Sequence, residues 1–115
     1  MNILYVENHA VFAATVVGKF LPRHTVTVVT SLVAAREALA LNAFEIVSVD
    51  YDLDDGKGDE LVCELRSHGT RTVVIGVSSH EEGNTALLRA GASAVCGKAQ
   101  FDQIQNVIDG VMKGS

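Results

Sequence analysis

The sequence predicts an α/β domain built on a doubly wound parallel sheet of five strands. Short runs rich in β-branched residues alternate with longer helical segments, five times along 115 residues. The strand-like runs are almost continuously apolar, which is typical of strands covered on both faces. Repeated strand–helix units with right-handed crossovers produce a parallel sheet with helices on both faces. We expect the strand order 2-1-3-4-5.

The strands are predicted where Val, Ile and other apolar residues cluster, because such residues suit a covered sheet. These runs are residues 3–6, 26–29, 45–49, 72–76 and 94–96.

Five helices are predicted between and after these strands, at residues 10–21, 32–42, 58–68, 81–90 and 100–112. Ser31 directly precedes the second helix and is a candidate N-cap. Gly69 and Gly91 stand where glycine commonly ends a helix. Pro22 follows the first helix, where it can stop it. The last helix carries one apolar stripe at helical spacing.

Composition limits the classes of function that need to be considered. A single domain over residues 1–115 is expected, because this length leaves no room for a second domain of ordinary size. The formal net charge of −5 argues against nucleic-acid binding, which needs clustered Lys and Arg. We find neither a signal-peptide pattern nor an apolar run near the ~20 residues of a membrane span. We therefore expect a cytoplasmic protein without membrane attachment.

Polar residues follow four of the predicted strands. Glu7 and Asn8 follow the first, Asp50 the third, Ser78 the fourth and Lys98 the fifth. Ligands of open parallel sheets bind beyond the carboxyl ends of the strands, where the strand order reverses. These residues supply two carboxylates, an amide, a hydroxyl and an ammonium. Such a set suits Mg²⁺-assisted phosphoryl transfer to a carboxylate, because Mg²⁺ takes oxygen ligands both from the protein and from the substrate phosphate.

Several short segments occur in an order that is typical of one protein family. They are residues 3–8 (ILYVEN), 47–53 (VSVDYDL), Gly58, 77–79 (VSS) and 90–98 (AGASAVCGK). With these segments the chain resembles the response-regulator receiver domains of two-component systems over essentially its whole length. The resemblance implies the flavodoxin-like receiver fold.

The resemblance also implies a phosphoprotein of phosphorelay signal transduction. Asp50 would be the phosphoacceptor and would carry an aspartyl phosphate. Glu7 and Asn8 would occupy the acidic-pair positions that hold Mg²⁺, together with Asp50 and the main-chain carbonyl of Asp52.

Further roles follow from the same resemblance. Ser78 would be the switch hydroxyl and Lys98 the cation that pairs with the phosphoryl group. Asp52 and His80 occupy positions that tune dephosphorylation. The implied donor is a sensor histidine kinase or a histidine phosphotransfer protein, and the implied recipient is a downstream output protein or domain. We expect no enzyme activity beyond the domain's own phosphorylation and dephosphorylation.

Three positions depart from the usual receiver pattern. Asn8 replaces an acid, so we expect Mg²⁺ affinity to be lower by roughly tenfold or more, because a unit charge pair at ~4 Å and a dielectric of ~20 contributes about 4 kcal/mol before desolvation. Ala99 stands where many receivers have a cis-proline, and a trans peptide bond is expected there. Val95 stands at the usual aromatic switch position.

A degenerate receiver is the main alternative, in which the same fold binds partners without phosphorylation. Asn8 and Val95 favour this alternative, whereas Asp50, Ser78 and Lys98 oppose it. A calcium-binding EF-hand at residues 50–61 does not fit, because the required Gly and Glu positions are occupied by Asp and Leu.

Some residues also have simpler interpretations. Ser78 and Ser79 are candidates for an N-cap pair of the fourth helix. His9 is interpreted as a surface or cap residue. Cys63 and Cys96 lie in apolar contexts without metal-type spacing, so both are predicted to be reduced core thiols.

Overall fold

Seven strands form two sheets in the computed structural model, which describes residues 1–113. Gly114 and Ser115, the last two residues of the predicted domain, lie outside the described residues. The strands are β1 (Asn2–Val6), β2 (Thr25–Val29), β3 (Ile46–Val49), β4 (Asp52–Leu53), β5 (Gly56–Lys57), β6 (Val73–Ser78) and β7 (Ala94–Gly97).

The central sheet has five parallel strands in the order β2-β1-β3-β6-β7. Counted among themselves along the chain, these five strands have the order 2-1-3-4-5, which confirms the predicted fold class. Val6 pairs with Val29 on one side and Val49 on the other, so β1 and β3 end side by side. The strands β4 and β5 form a separate antiparallel hairpin between the predicted third strand and third helix, where no strand was predicted.

The helices occupy the five predicted places. They are α1 (Ala10–Phe20), α2 (Leu32–Leu41), α3 (Gly58–Ser67), α4 (Glu81–Ala90) and α5 (Ile104–Lys113), with a 3₁₀ segment at Lys98–Gln103 before α5. Within residues 1–113, every helix is too short or too polar to cross a membrane.

The prediction of one continuous helix from residue 100 to 112 is wrong at its beginning. The chain runs through the 3₁₀ segment, where Gln100 departs from helical dihedral angles (φ −110°, ψ 26°). The thiol of Cys96 donates to the carbonyl of Gln100 over 3.3 Å. Phe101 is only 2% exposed. The turn therefore brings Phe101 into the core three residues after Lys98, and 3₁₀ turns of this kind are common at helix N-termini.

Each face of the sheet has its own hydrophobic core. One core combines residues of α1 and α5 with Ile3 and Tyr5 of β1. The other combines residues of α2, α3 and α4 with Leu4 and Val6 of the same strand. Alternate residues of a strand point to opposite faces, which explains why a continuously apolar β1 serves both cores.

The predicted helix ends are confirmed where they depend on a local cap. The hydroxyl of Ser31 accepts a hydrogen bond from Ala34 N–H at 3.1 Å. Gly91 ends α4 with a left-handed φ of 119°, and Gly69 follows α3 with φ 73°. The start of α2 has a second cap that the sequence analysis did not predict, since the Asp55 carboxylate accepts from Leu32 N–H (2.7 Å) and from the next amide.

The prediction that both cysteines are core residues is wrong for one of them. Both thiols are free, and Cys96 is buried, but Cys63 is exposed. Helix α3 buries Leu61 and Val62, so the next residue turns away from the core. Cys63 lines a cleft of about 610 Å³ beside α4.

Candidate functional site

The candidate site is built at the carboxyl ends of the central strands. Asp50 N–H donates to the carbonyl of Val6, and Glu7 N–H donates to the carbonyl of Val29, each at 2.9 Å. These bonds continue the ladder one residue beyond the strands. The backbone of both acids is therefore fixed by the sheet, and the two side chains begin on neighbouring strands.

Lys98 joins the two acids. Its Nζ lies 2.9 Å from Glu7 Oε1 and 3.0 Å from Asp50 Oδ2. The side chains of Glu7 and Asp50 are 0% and 5% exposed, and that of Lys98 is 15% exposed. Buried charges are tolerated when they are paired and hydrogen-bonded. Two carboxylates against one ammonium leave an excess of negative charge at this edge of the sheet.

Asn8 lies at the centre of a group of oxygen atoms. With its amide nitrogen turned inward, it donates to Glu7 Oε2 (3.0 Å), to Asp50 Oδ2 (3.2 Å) and to the main-chain carbonyl of Asp52 (3.2 Å). With its amide oxygen turned inward, Asn8 places that oxygen against the three oxygens of Glu7, Asp50 and Asp52. That orientation is unfavourable without a cation between the oxygens.

These donors fit a divalent cation. A set of carboxylate, carbonyl and amide oxygens converging on one point is the kind of ligand set that Mg²⁺ prefers. Glu7, Asn8, Asp50 and the Asp52 carbonyl are the four ligands predicted from the sequence, and the structure brings them together.

His9 belongs to the surroundings of the site, although its sequence position indicated a surface or cap residue. Its side chain is 68% exposed, and it precedes α1 without forming a side-chain cap. Its N–H donates to Glu7 Oε2 at 3.1 Å, and its Nδ1 lies 3.3 Å from the same atom. Ligand atoms of His9, Glu7 and Asp50 all lie within 4.8 Å of one another. The adjacency to Glu7-Asn8 was the signal for this contact.

Tyr5 is a second residue that the sequence analysis missed. Its side chain is fully buried, and its hydroxyl donates to Glu7 Oε1 at 3.2 Å. Residues two apart on a strand point to the same side, so the spacing of Tyr5 and Glu7 could have predicted this contact. The ring of Tyr5 stacks on Phe101, with ring centroids 5.7 Å apart.

Burial and charge act in opposite directions on the ionisable groups. Burial raises the pKa of Asp50, and the Glu7 carboxylate raises it further, while Lys98 and the Tyr51 N–H oppose this shift. Burial lowers the pKa of Lys98, but the hydrogen bonds that Lys98 donates to Glu7 and Asp50 outweigh this effect and hold the pKa above its usual value. Lys98 therefore stays charged in its buried position.

Ser78 ends β6 at the same edge of the sheet, but its hydroxyl is engaged on the α4 side. Its Oγ accepts a hydrogen bond from His80 N–H at 3.2 Å, and its own N–H donates to Asn84 Oδ1 at 3.1 Å. A Cβ at Gly83 would collide with Ser78 Oγ, so the glycine allows the backbone of α4 to lie this close to Ser78. The prediction that Ser78 and Ser79 cap α4 is wrong, because His80 occupies the N-cap position and makes no side-chain cap.

The two positions predicted to tune dephosphorylation are both exposed, and their role remains a prediction. The carboxylate of Asp52 pairs with Lys57, whose ammonium holds the pKa of Asp52 below its usual range. The main-chain carbonyl of Asp52 faces the site, whereas its side chain faces solvent. His80 stands directly before α4.

The backbone at Gly58 lies directly against the site. A Cβ on Gly58 would overlap the carbonyl oxygen of Asp50. Its N–H donates to the carbonyl of Tyr51 at 2.7 Å, which closes the loop after β3. A glycine at the start of α3 is therefore needed to hold the loop that carries Asp50.

Ala99 and Val95 are the two other positions that depart from the receiver pattern. Cis peptide bonds are absent from residues 1–113, so the bond between Lys98 and Ala99 is trans, as predicted. Val95 is half-buried on β7, where it pairs with Gly76 of β6.

Neither a known family model nor a curated protein matches the sequence. Solved structures do match. A receiver domain of a Francisella response regulator superposes with a TM-score of 0.85 at 20% identity, covering 97% of this chain and 96% of that one. A DNA-binding response regulator of the LuxR family from Staphylococcus aureus gives 0.86 at 14% identity, with 96% and 97% covered. The response regulator TrrA from Thermotoga maritima, in complex with Mg²⁺ and BeF, gives 0.85 at 14% identity, with 96% and 97% covered.

The fold is that of response-regulator receiver domains. At these identities the likeness establishes the receiver fold alone. On this receiver fold, Glu7, Asn8, Asp50 and Lys98 meet at the carboxyl edge of the sheet, as the sequence predicts.

Proposed function

We propose that this receiver domain accepts a phosphoryl group on Asp50 as a step of a two-component phosphorelay. The observation that supports this most directly is the contact of Lys98 Nζ with both Glu7 and Asp50, beside the oxygen group around Asn8. A carboxylate nucleophile, a fixed cation and a set of metal ligands are the parts that phosphoryl transfer to an acid requires.

The residues divide the chemistry between them. A carboxylate oxygen of Asp50 attacks the phosphorus, the new P–O bond replaces the bond from phosphorus to the donor's imidazole nitrogen, and that nitrogen keeps the electron pair. Glu7, Asn8, Asp50 and the Asp52 carbonyl would hold Mg²⁺, which when bound neutralises charge on the phosphoryl oxygens. Lys98 stabilises the same charge from a fixed position. Ser78 would turn its hydroxyl from His80 toward the phosphoryl group.

Partners follow from this role. The donor would be a sensor histidine kinase or a histidine phosphotransfer protein, and the phosphorylated domain would change its binding to a downstream output protein or domain. No reaction on a further substrate is proposed, and a cytoplasmic location suits both partners.

The test is incubation with Mg²⁺ and acetyl phosphate, followed by measurement of the intact mass. We expect the gain of one phosphoryl group in the natural sequence and none in Asp50→Asn. Asp54→Asn removes an exposed acid of the same loop and is the matched control, for which we expect the full gain. A phosphorylated Asp50→Asn protein would place the acceptor elsewhere and contradict the proposal.

The degenerate receiver is retained as a second candidate because of one observation. With its amide nitrogen turned inward, Asn8 would donate to Glu7, to Asp50 and to the Asp52 carbonyl, and these oxygens would need no cation. A domain of this kind would bind its partner in an unphosphorylated state. The absence of any phosphoryl gain with Mg²⁺ and acetyl phosphate, together with absent beryllofluoride binding, would favour this second candidate.

A further inference from the structure

Tyr5 places a phenol hydroxyl against Glu7 in the interior of the domain, below the proposed metal site. The hydroxyl donates to Glu7 Oε1 at 3.2 Å, and the side chain is fully buried. His9, which is mostly exposed, contacts the same carboxylate from the solvent side. Glu7 is therefore held between a buried donor and an exposed one.

The two oxygens of Glu7 have different surroundings. Oε1 accepts from the Tyr5 hydroxyl, whereas the ammonium of Lys98 lies close to both oxygens, 2.9 Å from Oε1 and 3.0 Å from Oε2. Oε2 faces Asn8 at 3.0 Å, together with Asp50 Oδ2 and the carbonyl of Asp52. Oε2 is thus the atom of Glu7 that belongs to the proposed ligand set, and Oε1 is the atom that Tyr5 contacts.

We propose that Tyr5 is a positioning residue for the divalent-cation site, because its hydroxyl holds Oε1 and so directs Oε2 toward the cation. This inference rests on the proposed Mg²⁺ site. Ligating carboxylates are usually oriented by outer hydrogen bonds, and loss of such a partner typically lowers metal affinity by about 10- to 100-fold. For one neutral hydroxyl we expect the lower end, about tenfold.

The ring of Tyr5 is itself fixed. It stacks on Phe101 with centroids 5.7 Å apart and an angle of 19° between the ring planes. A phenol in this position cannot turn its hydroxyl away without disturbing the core around it. A phenol hydroxyl is protonated at neutral pH, so it is available as a donor to Glu7.

The main test compares Tyr5→Phe, which keeps the ring and removes the hydroxyl, with Ile3→Val. Ile3 is fully buried on the same face of β1, so its truncation controls for a general loss of packing. Mg²⁺ affinity is measured by titration calorimetry on the intact domain. We expect about tenfold weaker binding in Tyr5→Phe and a change of less than about twofold in Ile3→Val. Equal affinity in Tyr5→Phe and the natural sequence would overturn the inference.

A second measurement does not depend on the folding of that variant. The chain has two tyrosines, so Tyr51→Phe leaves Tyr5 as the single phenol. Saturating Mg²⁺ should change the near-ultraviolet circular dichroism of this protein, because the hydroxyl of Tyr5 contacts a ligand of the cation. An unchanged spectrum would overturn the role of Tyr5.

These measurements distinguish a failure of the role proposed for Tyr5 from a failure of the proposed function. If the natural sequence binds Mg²⁺ and is phosphorylated while Tyr5→Phe binds equally well, only the role of Tyr5 is lost. If the natural sequence itself binds no Mg²⁺, the proposed function and this inference are both overturned.

Discussion

The carboxyl group of Asp50 lies where burial opposes its negative charge. Since its pKa is raised in the folded domain, the ionised form costs stability at pH values above the folded pKa. That cost disappears as the pH falls through the raised pKa. Asp50→Asn removes the charge, so we expect a higher melting temperature than the natural sequence at neutral pH.

The pH dependence provides the check on this prediction. The advantage of Asp50→Asn in thermal denaturation should shrink as the pH is lowered, because the natural carboxyl then becomes neutral as well. Asp54→Asn, an exposed change in the same loop, should show no such advantage. An advantage that grows with acidification would contradict the assigned direction of the pKa shift.

Asn8 is expected to limit the affinity of the site for Mg²⁺. Asn8→Asp adds a carboxylate whose terminal atoms would lie close to Glu7 Oε2 and Asp50 Oδ2. A unit charge at ~4 Å from a cation contributes about 4 kcal/mol at a dielectric of ~20, before desolvation is subtracted. We expect calorimetry to show at least about tenfold tighter Mg²⁺ binding.

The same change should lower the stability of the domain without metal. A third carboxylate beside Glu7 and Asp50 repels both. Asn8→Ala provides the contrast, since it removes the amide oxygen without adding a charge and should weaken binding. Unchanged Mg²⁺ affinity in Asn8→Asp would show that residue 8 does not contact the cation.

Ser48 has a buried hydroxyl that is not hydrogen-bonded. The residue is 2% exposed on β3, and its Oγ has no partner among residues 1–113. It lies opposite Tyr5 of β1 and Ile75 of β6 in the sheet register. An unsatisfied buried hydroxyl costs about 1–3 kcal/mol, so we expect Ser48→Ala to raise the free energy of unfolding by about 0.5–1 kcal/mol.

Urea denaturation measures this change directly. Ser93→Ala is the matched control, because Ser93 Oγ accepts from Val74 N–H at 3.1 Å and also contacts Arg66. Loss of that hydroxyl should destabilise the domain by about 1 kcal/mol. Destabilisation by Ser48→Ala of the same size would indicate that the Ser48 hydroxyl does have a partner.

At the scale of the elements, Asp55 fastens the loop after β3 to the start of α2. Its carboxylate accepts from the N–H groups of Leu32 and Val33, at 2.7 and 3.1 Å. These hydrogen bonds lower the pKa of Asp55. Asp55→Ala should therefore speed hydrogen exchange at both amides and loosen the loop that carries Asp50.

The stabilisation that Asp55 gives to the start of α2 should depend on pH in the direction usual for an acid whose pKa is lowered in the folded state. It is present above the ordinary aspartate pKa and is lost as the pH falls through the lowered folded value. The difference in exchange between Asp55→Ala and the natural sequence should disappear in acid. Asp54→Asn should exchange like the natural sequence throughout.

The sequence predicted those elements whose limits depend on local chemistry. Helix α4 has the predicted bounds, because Gly91 ends it through its own backbone conformation. The start of α5 was misjudged, because the 3₁₀ turn depends on where Phe101 packs, which is a tertiary effect. Cys63 was misjudged because residue type alone does not determine the phase of α3 against the core.

The residues of the site likewise divide into those that the sequence predicted and those that it did not. Glu7, Asp50 and Lys98 were predictable, because strand order alone brings the strand ends together. The contacts of Tyr5 and His9 with Glu7 were not predicted, although the two-residue spacing from Glu7 was a signal for each, because strand order alone does not show which side chains meet.

At the scale of the whole molecule, an aromatic cluster connects the site to two helices. Phe101 contacts Tyr5 and also Phe12 and Phe20 of α1, with ring centroids 6.3 and 6.2 Å away. The ammonium of Lys98 lies 5.3 Å from the ring centroid of Phe12. A change in the position of Lys98 therefore reaches α1 and the 3₁₀ segment before α5 through direct contacts.

Phe101→Leu should weaken the domain as a whole. Loss of a buried ring with three aromatic neighbours should lower the free energy of unfolding by about 1–2 kcal/mol. Urea denaturation measures the change, and Phe44→Leu, at a half-buried position on the other face, should cost less. Equal costs at the two positions would argue against a special role for the cluster.

The unequal exposure of the two cysteines has a practical consequence. Because Cys63 is accessible and Cys96 is enclosed, a maleimide dye should couple to one sulfur of the natural sequence without any engineering. Its fluorescence would report on the cleft between α3 and α4, so a change in the packing of these two helices could be followed in real time.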